Sequence, residues 1–342
     1  MRFQILLLLS FFLFLFTGCA TRVKIEVVQP AEINMAKMRK IAVFDFSHNV
    51  EPVDSLGDLF FNVLERNIGL DPDDSYLMDR IADYATQRLI ETLLATDYFS
   101  CQNSGAIHLP PSSTSQTVDF QKIGRELKVD ALILGTINKG KCNTDTFNKE
   151  KEVYDKTLKK DVTKMSPWIK RKCRLSLSYR VIKTADGSLI TTKNFSRSKT
   201  EEKSGTDDFV LRDPLDFFQD MIEEILPDIS RQLAPYTVTQ YRKLKDDQSD
   251  DPELEHAEEL VEAGFYERAL AIYIEHWRKS SNPAAGYNAA ILHEAKGNLN
   301  EAIELLEKII ENTSDIFYLN EHKRLLQVQT VQEQVRVQTG QK

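Results

Sequence analysis

The sequence predicts an α/β (α+β) central-sheet domain followed by a small all-helical repeat domain. Three observations predict it. Short apolar runs alternate with helical patterns through the first two thirds of the chain. An acidic, polar stretch then interrupts the sequence at Asp246–Glu253 (DDQSDDPE). Beyond it two similar helical segments follow each other with a period of 33 residues, Gly264 matching Gly297 and Ala269 matching Ala302.

The chain opens on Arg2, an apolar run from Ile5 to Phe16 broken only by Ser10, and Thr17-Gly18-Cys19. These are the parts of an export signal. The run of about 12 residues is shorter than the roughly 20 that a spanning helix needs. The Thr-Gly-Cys ending resembles the bacterial lipobox. That resemblance implies cleavage after residue 18, a mature chain beginning at a lipidated Cys19, and a location in the bacterial cell envelope. The same resemblance implies the outer membrane, since Ala20 rather than Asp follows the cysteine. The expected partners are therefore the lipid bilayer, through acylated Cys19, and an envelope protein that the sequence does not identify.

Residues 19–38 read as a tether becoming a strand, since Val23, Ile25 and Val27 alternate with Lys24 and Glu26. Residues 39–245 form the predicted sheet domain. Lys40–Phe46 is a buried strand, and a short helix is expected over Leu59–Arg66. Asp73-Asp74-Ser75 caps a helix reaching about Ala95, with Leu77, Ile81, Ala85, Leu89 and Leu93 on one face. Tyr98–Cys101 is a short strand, residues 103–117 a polar loop, Asp119–Leu127 a helix and Val129–Gly135 a strand.

A basic insertion follows at 139–174, with 12 Lys or Arg against 5 Asp or Glu in a chain whose net charge is −8. Within it Lys159, Lys160, Lys164, Lys170 and Arg171 are the candidate basic patch. Such a patch would meet anionic lipid headgroups, teichoic or sugar polymers, or an acidic partner; a solvated, charged hairpin is the plainer reading. Cys173 to Val181 alternates as an amphipathic strand, Thr184–Gly187 turns, and Leu189–Phe195 returns. Asp213-Pro214 opens a helix to Leu233, with a kink expected at Pro227.

Residues 254–315 look like two tetratricopeptide-like repeats, with glycine closing each first helix and alanine early in each second one. Residues 316–342 read as a capping helix and a disordered tail. What the repeat resemblance implies is a concave partner-binding face built from Glu258 and Val261 in the first copy and Tyr287, Asn288 and Ile291 in the second. Packing helices that merely cap the first domain remain the alternative.

The words Lys40–Phe46, Ile123–Gly135 and Tyr179–Ile190 resemble envelope lipoproteins of the curli-secretion and peptidoglycan-synthase-activator group. That group contains both soluble regulators and secretion pores.

Composition excludes some classes. A net charge of −8 argues against nucleic-acid binding. No phosphate loop, HExxH or GxSxG occurs, and the six histidines are scattered. No catalytic residue, metal site or cofactor is assigned. Cys101, Cys142 and Cys173 are an odd number, of which one pair can oxidise in an exported protein. The expected function is a non-enzymatic docking or regulatory lipoprotein of a cell-wall or secretion assembly. A secretion-pore subunit and an enzyme on envelope polymers stay open as alternatives.

Overall fold

The computed structural model describes residues 21–35, 37–48, 72–103, 118–207, 211–247, 249 and 251–340. The expected export signal and Cys19, the helix expected at 59–66 and all but the first residue of the polar loop expected at 103–117 lie outside the described residues. The chain divides into two units. Among the described residues, one joins 21–30 to Tyr236–Val337, and the other is Ala31–Pro235 with Gln338–Gly340.

In the second of these, the sheet unit, five strands run in the order β3-β2-β4-β5-β6. They are β2 (Lys40–His48), β3 (Ser100–Asn103), β4 (Ala131–Asp155), β5 (Lys160–Lys183) and β6 (Leu189–Ser204). β2 pairs in parallel with both β3 and β4, while β4, β5 and β6 are antiparallel. Helices α1 (Pro72–Leu94) and α3 (Pro214–Leu233) cover one face through a core that includes Ile81, Leu89, Phe218, Ile222, Ile133 and Tyr179. Among the described residues, helix α2 (Phe120–Leu127) is what covers the other face, at one end, over Ala42, Phe44, Leu132, Leu134 and Ile182.

Local chemistry explains these elements. Asp119 caps α2 by accepting from the Lys122 N–H at 2.9 Å, and Asp213 caps α3 with Pro214 in its first turn. The α3 helix runs on through Pro227. Asp130, the one charge in an apolar strand word, accepts from the backbone N–H of Arg39 and Lys40 at 3.0 and 2.9 Å, which ties β4 to the start of β2. Gly124 lies on α2 where an added Cβ would stand 2.2 Å from Thr184 Cβ.

The basic segment 139–174 is not an insertion between elements. It is the middle and end of β4 and the first part of β5, two core strands of 25 and 24 residues that run outward without interruption. Cys142 and Cys173 are register partners on the core face and form a disulfide, leaving Cys101 as a thiol. Burial pushes the Cys101 thiol up to about 11.

The helical unit differs from the expected domain boundary. Strand β7 (Tyr236–Lys243), expected inside the sheet domain, pairs antiparallel with β1 (Arg22–Gln29) and belongs with the helices. Helices α4 (Pro252–Glu262), α5 (Tyr266–Ser280), α6 (Pro283–Ala295) and α7 (Leu299–Asn312) follow as two helical pairs. Their turns hold Gly264 at φ +80° and Gly297 at φ +79°, with nothing within 4 Å of an added Cβ, so glycine serves the backbone angle rather than space. The acidic stretch 246–253 does not separate units. Asp251 caps α4, and Asp247 accepts from the Asn282 side chain. Helix α8 spans Ile316–Thr339, so the expected disordered tail is helix as far as Thr339, with Tyr318 and Leu325 in the core of the unit.

Candidate functional site

The open face of the sheet, and the hairpin that continues it, form the candidate interface. Side chains along a strand alternate between faces, and register partners share a face. The parity of β4 is set by a bulge at Asn138, where Ile137 pairs with Leu177 but Lys139 pairs with Ser176. Before the bulge odd-numbered residues such as Ile133 and Ile137 enter the core. After it Gly140 and Cys142 face the core while Lys139 and Lys141 turn outward. One extra residue thereby keeps two lysines out of the interior.

On the outward face β4 then carries Lys139, Lys141, Lys149 and Lys151, and β5 carries Lys164, Lys170, Lys172, Arg174 and Arg180. With Lys160 nearer the tip these are ten cations, and the same face of β4, β5 and β6 carries the carboxylate positions Asp145, Glu202 and Asp155, the register partner of Lys160. Glu202 pairs with Lys170 at 2.8 Å and Lys149 at 3.4 Å, and the two ammonium groups hold its carboxyl below the usual range. The opposite face of the hairpin carries Glu150, Glu152 and Asp161. Beyond the pair Trp168–Ser204, where β6 ends, the hairpin is two-stranded.

The charges on the core-facing side of β6 are treated differently. Arg197 pairs with Asp228 at 2.8 Å, and Lys199 with Glu224 at 2.8 Å and Asp220 at 3.2 Å, all on α3. These cations are consumed by packing, whereas the outward row faces solvent.

Of the sequence-predicted patch, Lys160, Lys164 and Lys170 share the basic face and Lys159 sits in the turn at the tip. Arg171 does not belong to it. Its odd position on β5 turns it to the core side, where it is 5% exposed and donates to Thr144 Oγ1 and to the Arg212 carbonyl. Lys139, Lys141, Lys149, Lys151, Lys172, Arg174 and Arg180 were not singled out from sequence. The Lys-Glu alternation of 149–152 and the spacing of Lys170, Lys172 and Arg174 are the signals that lead to them.

The predicted docking face of the helices is occupied. Val261, Tyr287, Asn288 and Ile291 are buried, in a core that also contains Val23, Ile25 and Val27 from β1. The chain's own ribbon fills the place reserved for a partner. Asn288 accepts from the Lys245 N–H at 2.7 Å and donates to the Lys245 carbonyl at 3.0 Å, and Tyr287 packs edge-on to Phe317 at 5.1 Å. Glu258 is half-buried, and burial with Asp246, Glu262 and Glu255 nearby raises its carboxyl above the usual range.

Ser280, His276 and Asp251 stand in a hydrogen-bonded row, with 3.1 Å from Ser280 Oγ to His276 Nδ1 and 2.8 Å from His276 Nε2 to Asp251 Oδ2. The Ser280 hydroxyl donates to the His276 carbonyl at 2.8 Å and accepts from the Asn282 N–H at 3.3 Å. The α6 amides of Ala284 and Ala285 are taken by the Asn282 side chain. The row ties the N-cap of α4 to the last turn of α5. Among the described residues no group of three metal-ligating side chains occurs, and no helix is long and apolar enough to cross a membrane.

No protein-family model and no curated protein matches the chain. Solved structures do show partial likeness. The hypothetical protein CT253 from Chlamydia trachomatis is 12% identical, covering 57% of this chain and 98% of that one at a TM-score of 0.29. The PelC dodecamer from Paraburkholderia phytofirmans is 12% identical, covering 62% and 98% at a TM-score of 0.25. Lipoprotein GNA1162 from Neisseria meningitidis is 9% identical, covering 56% and 98% at a TM-score of 0.23. The scores lie below 0.5, so no role is transferred from these proteins to this chain.

Proposed function

We propose that the chain is an envelope lipoprotein, anchored through Cys19, that acts as a non-enzymatic docking factor and meets its partner through the basic face of β4 and β5. The single observation that carries this reading is the segregation of charge on a hairpin that outruns the rest of its sheet. Ten cations against three carboxylate positions lie on one face, while the other face of the hairpin carries Glu150, Glu152 and Asp161 with the buried Arg171. A ribbon of this kind has no cleft in which to exclude water from a reaction, but it presents a long surface of one sign. The Cys142–Cys173 disulfide supports export, because such bonds persist in oxidising compartments. The α4–α7 pairs, read as tetratricopeptide-like repeats, serve here as a support that binds the chain's own ribbon.

The pore reading finds less support in the hairpin. A strand crossing lipid needs an apolar band over about 9–11 residues on one face. One face of this hairpin carries Lys149, Lys151 and Lys164, and the other Glu150, Glu152 and Asp161.

The test uses the full-length protein purified from membranes. Lys159→Glu, Lys160→Glu and Lys164→Glu together should abolish salt-sensitive recovery of the partner while leaving the circular dichroism spectrum unchanged. Undiminished recovery would remove the hairpin from the docking surface. Cys19→Ala should release the protein from the detergent phase, and continued partition with membranes would end the anchor assignment.

A further inference from the structure

Resting on the docking reading above, we infer that the basic face is a track for a linear anionic polysaccharide. Four features of the face select this occupant.

The first is charge. Lys141 and Arg174 are register partners, Lys139 lies one pair inward, and Lys172 and Lys170 follow along β5. Residues two apart on a strand are separated by roughly 6.6–6.8 Å. That spacing gives a regular row of cations. Among the described residues no carboxylate pairs with Lys139, Lys141, Lys172 or Arg174.

The second is the neutral chemistry between the cations. Ser176, Ser178, Ser196, Ser198 and Thr200 stand on the same face, with Asn143 among them. Hydroxyl and amide groups both donate and accept, as do sugar hydroxyls. A phosphate group offers only acceptors and so meets these side chains in one of their two roles.

The third is aromatic. Phe147 and Trp168 are register partners on this face, and Lys149 Nζ lies 4.8 Å from the Trp168 ring centroid. An aromatic plane beside a cation receives the apolar C–H side of a pyranose ring while its carboxylate meets the ammonium group.

The fourth is shape. From Lys139 to Lys151 the strip extends about 40 Å at ~3.3 Å per residue, and past Trp168 it is two strands wide. Two-stranded ribbons twist strongly, so the basic face follows a helical path. A flexible linear polymer can follow that path, whereas a flat bilayer touches only part of it.

The experiment measures binding of fluorescent polygalacturonate oligomers to the full-length protein anchored in phosphatidylcholine nanodiscs at ~0.15 M salt, where charges beyond about 8 Å are screened. Neutral dextran oligomers and polyglutamate of equal charge are measured beside them, and the polygalacturonate arm is repeated in phosphatidylglycerol discs. The expected result is binding of polygalacturonate in both discs, at least tenfold tighter than polyglutamate, with no binding of dextran. The triple variant Lys141→Ser, Lys172→Ser, Arg174→Ser should weaken it at least tenfold, and Lys122→Ser on α2 should leave it unchanged. Equal binding of polyglutamate, or loss of binding in phosphatidylglycerol discs, would overturn the polysaccharide while keeping a basic docking face. Absence of binding by every anionic probe, with the triple variant indistinguishable from the parent, would overturn the docking reading itself.

Discussion

Glu294→Ala should strip a buried ion pair from the centre of the helical unit. The Glu294 side chain is 1% exposed, and each of its oxygens accepts from an Arg324 nitrogen at 2.7 Å. Arg242 on β7 adds its Nε at 3.8 Å from the same carboxylate. The glutamate therefore links α6 to α8 and to the ribbon. Truncating one partner of a buried pair costs about 3–5 kcal/mol, because the remaining charge stays desolvated. Arg324 keeps Glu321 at 2.9 Å, which places the loss at the lower end, about 3 kcal/mol. At roughly 3–5 °C per kcal/mol, Tm should fall by about 10–15 °C. Thermal unfolding followed by circular dichroism reads the total, and amide hydrogen exchange should rise first in α6 and α8. Glu294→Gln, which keeps the shape and some hydrogen bonds, should fall between the two. The double variant Glu294→Leu, Arg324→Leu should recover most of the loss, since apolar replacement of a buried pair is often neutral. A Glu294→Ala protein within about 1 kcal/mol of the parent would refute the claim that this carboxylate holds the unit together.

Three further outcomes are expected. Cys142→Ser with Cys173→Ser should lower stability by about 3–4 kcal/mol, from the closed loop of sequence separation 31, and denaturant midpoints with and without reductant will show it. Gly124→Ala should destabilise by about 1–3 kcal/mol although alanine favours helix, because its Cβ meets Thr184 at 2.2 Å; a stabilised variant in urea unfolding would contradict the packing. Burial, aided by Lys296 and opposed by Glu301, holds the His293 imidazole below its usual 6.5. The unfolded chain therefore takes up the proton first, and the contribution is complete above 6.5 and lost as pH falls below it towards the folded value. His293→Gln should flatten the fall in urea midpoint between about pH 7.5 and 5.5, and an unchanged slope would assign that fall to other groups.

Much of the fold is legible because its signals are local. The alternation at Val23, Ile25 and Val27, the four-residue spacing along α1, and the Asp-Pro entry to α3 each depend on a few neighbouring residues. The register-dependent part is not legible in the same way. Arg171 and Lys170 are adjacent and chemically alike, yet one is sealed against Thr144 and Arg212 while the other lies on the basic face. Val261, Tyr287, Asn288 and Ile291 read as a groove for a partner because sequence shows the helices but not the strand pair packed on them.

By itself the sequence determined the central-sheet class, the helical pairs turning at Gly264 and Gly297, and the local excess of cations between Lys139 and Arg174. Tertiary structure decided which cations meet solvent, which cysteines join and what fills the helical groove. The reason is physical. Local patterns fix which element a residue enters, but a bulge at Asn138 reverses the face of every residue after it, and the β1–β7 pairing joins segments more than 200 residues apart.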